Sequence, residues 1–224
     1  MTVAAYYAGL WRLLQVWMPQ LLVAAGGTLR MTALAFIVAA TVGLGLALAR
    51  LSRFTALSRF AVVYIETVRG TPALTQLFLI YFGLTAVGLT LQAFQAAVVG
   101  LGLNGAAYLA EVYRAGIQAI HRGQREAAQA IGMTHGLVMQ FIILPQAARI
   151  ILPPMANYAI SLLKDTSVAS LISAPELMLR ARDLSSEYFR PMNLYVIAGL
   201  MYLAMAYPLS RAVRAMEARL SQGR

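Results

Sequence analysis

Between Arg69 and Glu111 the chain runs for about forty residues without one charged side chain. Hydrocarbon about 30 Å thick needs about 20 apolar helical residues per crossing. The run is therefore long enough for two crossings joined by a turn. That turn is expected near Gly83–Gln92, where glycine, threonine and glutamine interrupt the leucines. The same criterion marks Met31–Ala49, bounded by Arg30 and Arg50, and Met192–Ser210. Ile150–Leu163 is short and must borrow length past Lys164-Asp165 or back towards Pro145. The expectation is an all-α membrane protein with about five transmembrane helices. With only 12% charged residues, about half the usual share, a soluble domain is excluded.

The net charge of +10 raises nucleic acid as a partner, but no nucleic-acid-binding motif appears, and the basic residues lie between apolar runs. Their placement sets orientation, because Lys and Arg collect on the cytoplasmic side. One side holds Arg50, Arg53, Arg59 and Arg69, then Arg114, Arg122, Arg125 and Arg149, then Arg211, Arg214, Arg219 and Arg224. The other holds Arg12 and Arg30, and a loop where Glu176, Asp183 and Glu187 balance Arg180, Arg182 and Arg190. The first side is expected in the cytoplasm and the N-terminus outside. Three parts follow: an extracytoplasmic interfacial segment 1–24, a membrane domain 25–212 and a cytoplasmic tail 213–224. Tyr6, Tyr7, Trp11 and Trp17 suit an interface, where aromatic rings with polar tips settle. No cleavable signal is expected there. Cysteine is absent, which excludes disulfides and thiolate metal sites, and His121 and His135 lack a carboxylate cluster for a metal.

One polar stretch stands out among the spans: Glu126–Pro145, EAAQAIGMTHGLVMQFIILP. Good helix formers fill Arg122–Ala130, and Gly132 suits a helix end because it enters the left-handed conformation at little cost. Thr134 can cap a second helix, and Pro145 fits the first turn of a third. The expectation is two short helices bent at glycine on the cytoplasmic face. From the residues alone, such an insert either docks a cytoplasmic partner or lies on lipid headgroups.

The insert resembles the EAA loop of ABC importer membrane subunits. From about Thr28 to Leu209 the chain is similar to the permease subunits of polar amino acid ABC importers, which take up histidine, glutamine, arginine and glutamate. The resemblance is carried, in order, by Ala49–Ser52, Ile65–Pro72, Gln76–Leu84, Ala107–Ile117, the EAA loop and Ser161–Ser167. It implies a type I importer permease in a bacterial inner membrane, with Glu126, Ala127, Ala128, Gly132, Leu144 and Pro145 coupling to an ATPase. It implies as partners two copies of that ATPase, a second permease, identical or paralogous, and an extracytoplasmic solute-binding protein. No G-x-x-x-x-G-K-[ST] occurs, so ATP and Mg belong to the ATPase chain and no cofactor is expected here. The same architecture could serve opines, polyamines or another small polar solute, and a non-transporting scaffold is the alternative of a different class.

Charged groups beside the spans are the remaining candidates, since such groups pair or face water. Glu66 and Arg69 are three residues apart, as are Glu111 and Arg114, so each pair can meet on one helical face. They are either structural ion pairs or part of a gate around the elbow at Gly70-Thr71-Pro72. Asn157, Ser161, Lys164, Asp165 and the adjoining Thr166 form a polar stripe in an apolar span. It serves either as glue between helices or as a path that offers an amino acid an anionic partner and donors. In the resembling family a glutamate commonly follows the asparagine; here Tyr158 stands there.

Overall fold

The computed structural model describes residues 3–221, with side chains for 13–220. The side chains of Tyr6, Tyr7 and Trp11 thus fall outside what is described, as do the last three residues. Helix α1 (Val3–Arg50) is one uninterrupted 48-residue helix. Its apolar part, Leu13–Arg50, is about 57 Å long, nearly twice a membrane core. Trp17, expected at a headgroup interface, is fully buried. Its ring packs edge-on against Tyr188 at 5.6 Å.

Helix α2 (Thr55–Arg69) and α3 (Ala73–Ala86) follow, α3 containing a π-helical turn at Leu79–Gly83. A turn at 87–92 leads into α4 (Ala93–Gln118). Among the described residues four helices are long and apolar enough to cross a membrane: Leu13–Arg50, Ala93–Gln118, His135–Ile172 and Pro191–Leu220. The first of the two crossings expected in Gly70–Ala110 falls on a shorter apolar helix. That helix, α3, measures only about 21 Å.

Packing shows how the chain makes up the difference. Helices α1 and α4 run parallel in close contact. A Cβ on Gly102 would fall 2.6 Å from Val38 Cγ1, and one on Gly43 2.9 Å from the Ala106 carbonyl oxygen. Small residues permit that approach. Gly45, by contrast, faces open space. A parallel pair requires the connecting chain to travel the whole depth back. It does so in two pieces, α2 and then α3, bent at Gly70-Thr71-Pro72. Helix α2 sets Ala61 and Ile65 against Leu46, Ala106 and Ala110, while α3 sets Leu77 against Ala97 and Leu101. Gln76 Nε2 donates to the Val68 carbonyl (2.7 Å) and to Thr71 Oγ1 (2.6 Å), and Asn104 Nδ2 donates to Gln76 Oε1 (3.1 Å). The elbow is thus pinned to α4.

Helix α5 (Arg122–Ala130) is the first short helix of the polar insert. The second is not separate. His135–Ile172 is continuous helix, here α6, containing a π stretch at Val138–Ile143 and a 3₁₀ end at Thr166–Ile172. The short fourth span therefore borrows length at both ends. Pro145 sits just after the π stretch, where the hydrogen-bond ladder has already shifted and its missing N–H is tolerated. Helix α7 (Leu177–Tyr188) leads into α8 (Pro191–Ser221), which continues through Pro208. Helix α6 is antiparallel to α4, with Ile151 against Gly116 and Tyr158 against Gly105.

Candidate coupling helix and translocation path

Helix α5 ends in a Schellman motif. Gly132, at φ +84°, is left-handed, the Gly132 N–H donates to the Gln129 carbonyl (2.9 Å), and the Met133 N–H to the Ala128 carbonyl (3.1 Å). Nothing lies within 4 Å of a Cβ built on Gly132, so backbone conformation rather than space demands glycine. Glu126 and Ala127 are exposed. Ala128 is not on that outer face; at 6% exposure it packs with Val138, Ile143 and Ala147. Leu144 and Pro145 are exposed at the start of the regular part of α6. The expected Thr134 side-chain cap is absent, and its carbonyl instead accepts the Val138 N–H at 2.9 Å. Helix α5 is therefore joined to the long helix α6 by four residues that contain the glycine turn.

Beside α5, the ends of α1 and α4 meet through charge. Glu111 pairs with Arg114 at 2.7 Å, as the spacing predicts, and also with Arg50, sixty-one residues away. Glu66 and Arg69 do not pair among the described residues. The Arg69 guanidinium lies 5.6 Å from the centre of the Tyr108 ring, which stacks on Tyr158 at 6.1 Å. Tyr158 thus turns into α4, and a Cβ on Gly105 would lie 2.4 Å from its hydroxyl.

On α6, Asn157, Ser161, Lys164 and Asp165 are all exposed. Asn157 Nδ2 donates to Glu217 Oε1 of α8 (3.1 Å). Among the described residues Lys164 and Asp165 form no ion pair with another helix. Thr166 leaves the stripe: it is fully buried, and its hydroxyl donates to the Leu163 carbonyl (2.7 Å).

Sequence spacing did not reveal the group at the opposite end. Glu176 reads as one of several balanced loop charges, yet it is 1% exposed. Its carboxylate caps α7 by accepting from Met178 N (2.8 Å) and Leu179 N (2.6 Å), and accepts from Tyr202 Oη of α8 (2.5 Å). Thr28 of α1 accepts the Leu177 N–H at 3.0 Å. A Cβ on Gly27 would fall 2.6 Å from the Pro175 carbonyl oxygen, so only glycine there lets α1 and this turn approach so closely. Burial pushes the Glu176 carboxyl up from its usual range, although the Tyr202 hydroxyl and the two backbone N–H groups favour the charged form.

A long-helix bundle with a short polar helix at one end is what a channel-forming subunit driven from outside itself needs, and comparison with known proteins agrees. Residues 39–222 match the family described as binding-protein-dependent transport system inner membrane component. The probable amino-acid ABC transporter permease protein YckA of Bacillus subtilis is 38% identical over 84% of this chain and 83% of its own length. The L-cystine transport system permease protein TcyB of the same organism is 39% identical over 87% and 84%. The crystal structure of an amino acid ABC transporter with histidines contains a chain 38% identical, with TM-score 0.89, covering 92% of this chain and 96% of that one. The chain belongs to this family: it is a transmembrane permease subunit of an amino-acid ABC importer, an inner membrane component and not the ATPase. The family works with a binding protein and an ATPase.

Proposed function

We propose that this subunit forms half of a path for polar amino acids and opens it alternately to either side when a separate ATPase acts on α5. The observation that carries the reading is the direct join between α5 and α6. A displacement of the exposed Glu126–Ala127 face passes through the rigid Gly132 turn into the helix that bears Ser161, Lys164 and Asp165. Glu66, Arg69, Thr71, Pro72, Glu111 and Arg114 then belong to the packing that holds the gate-side helices, with Gln76 fixing the elbow. Four exposed polar residues on a membrane helix need water or a second subunit over them, which supports a paired permease with the path between the two.

The arrangement has α2 and α3 together as the fifth crossing, the N-terminus outside, and α5 and the C-terminal tail in the cytoplasm. Two ATPase copies, carrying ATP and Mg, dock on the two α5 helices, and a solute-binding protein delivers to the face bearing Ser173–Pro191. A valine at position 132 tests the coupling. A β-branched residue in the left-handed region costs about 1–2 kcal/mol, which reshapes the turn without touching a span. In the reconstituted complex, Gly132→Val is expected to insert and assemble but lose uptake and substrate-stimulated ATP hydrolysis together. Normal uptake by the assembled variant overturns the coupling role.

A further inference from the structure

We propose that a cleft bounded by the α1–α2 turn, the end of α4, α5 and the start of α6 binds the headgroup of an anionic phospholipid. The inference rests on the orientation proposed above, which places this end of the bundle at the cytoplasmic leaflet. The cleft has a volume of about 550 Å³, within the range of sites that hold small molecules. Arg53, Arg122 and Arg125 line it together with His121 and His135, and no acid does.

At the same end of the bundle Arg50 and Arg114 are neutralised by Glu111. Among the described residues Arg53, Arg122 and Arg125 have no such partner. Three like charges converging on one cavity repel unless an anion sits between them. His121 Nδ1 accepts the Gly123 N–H (3.1 Å), which leaves the proton on Nε2 as a further donor.

Two observations select a lipid over a soluble anion. The cleft floor is apolar, made by Ile117, Met139 and Ile143 where α4 ends and α6 begins. Next to Arg53 in the chain, Phe54 is 75% exposed, an apolar ring that acyl chains or another apolar surface would cover. A third observation bears on the ATPase: Arg125 lies on nearly the opposite side of α5 from Ala127, two residues on, whereas Arg122 shares a side with Glu126, four residues on, so the test below leaves Arg122 in place. Basic pockets at the cytoplasmic ends of membrane helices recognise anionic headgroups at about fivefold in affinity per arginine.

The test uses the whole complex, permease with ATPase, in nanodiscs of phosphatidylcholine with increasing phosphatidylglycerol. Phosphatidylglycerol retained by the protein is counted by native mass spectrometry. Arg53→Gln/Arg125→Gln is expected to lower that retention about 25-fold while keeping the ATPase bound. Arg53→Lys/Arg125→Lys, which keeps the charge, retains most of the lipid, and the control Arg211→Gln/Arg214→Gln changes retention less than about twofold. Equal retention by the glutamine pair and the wild type overturns the proposal. Loss of the ATPase from the glutamine pair in pure phosphatidylcholine also overturns it, since the cleft then faces protein. Displacement of the lipid by millimolar inorganic phosphate assigns the site to a soluble anion and overturns the lipid claim. Thiol labelling of Gln124→Cys from outside intact cells would instead show that the orientation has failed, whatever the lipid result.

Discussion

Glu176 gives the sharpest test of how the end of the bundle away from α5 is held. Replacing it with alanine removes the acceptor for three donors at once: the Met178 and Leu179 N–H groups and the Tyr202 hydroxyl. Loss of a helix cap costs about 0.5–2 kcal/mol, and each buried donor left unsatisfied about 1–3 kcal/mol. Removing a buried carboxylate returns part of this, because its desolvation cost disappears. A net loss of about 2–4 kcal/mol is expected for Glu176→Ala. Glu176→Gln keeps an acceptor oxygen for the two N–H groups, and its amide can donate to Tyr202 Oη, so its loss should stay under about 1 kcal/mol. At about 2–4 °C per kcal/mol for a chain of this size, alanine lowers the midpoint of thermal unfolding by about 4–16 °C and glutamine by under about 4 °C. Intrinsic fluorescence of the purified subunit, or of its complex, measures both.

The same residue sets a pH dependence. Burial raises the folded-state pKa of Glu176 above its unfolded value, so the folded state holds this proton more tightly. The stabilisation from that proton is full below the unfolded value of about 4.3 and is lost as pH rises through the raised folded value. Wild type should therefore gain stability, relative to Glu176→Gln, as pH is lowered through that window. Two results would refute the reasoning. One is an alanine variant that unfolds at the wild-type temperature; the other is a glutamine variant as unstable as alanine.

The absence of native cysteine makes orientation simple to measure. In intact cells a membrane-impermeant thiol reagent should label Ser186→Cys, exposed on α7, and spare Gln124→Cys on α5; the reverse pattern refutes the proposed topology. Asp165→Asn should leave the complex assembled by size exclusion but slow uptake in liposomes, because the exposed carboxylate belongs to the stripe proposed to line the path. An assembled variant with normal rate and selectivity returns the stripe to a purely interhelical role.

What the sequence made readable, and what it hid, follows from the kind of signal each feature leaves. Charge-free windows located α1, α4 and α8, whose long apolar runs need no other helix to define them. They did not define the α2–α3 return, because Arg59, Glu66 and Arg69 interrupt the window and Gly70-Thr71-Pro72 breaks the helix. Helix α2 nonetheless buries Ala61 and Ile65 against α1 and α4, so its depth is set by packing on neighbours and not by its own hydropathy. The glycine-bent polar insert was readable because glycine, small residues and a polar helix leave local marks; that Ala128 turns inward was not, because identity does not tell which side of a nine-residue helix faces the bundle. Arg50–Glu111 and Glu176–Tyr202 left no local mark, since each joins positions far apart in the chain. Glu176 had one weak signal: an acid directly after Pro175 and before a helical apolar pattern is where a cap belongs. Charge held between helices is visible only once the helices are placed: Arg50–Glu111 ties the end of α1 to α4, and Glu176–Tyr202 ties the start of α7 to α8.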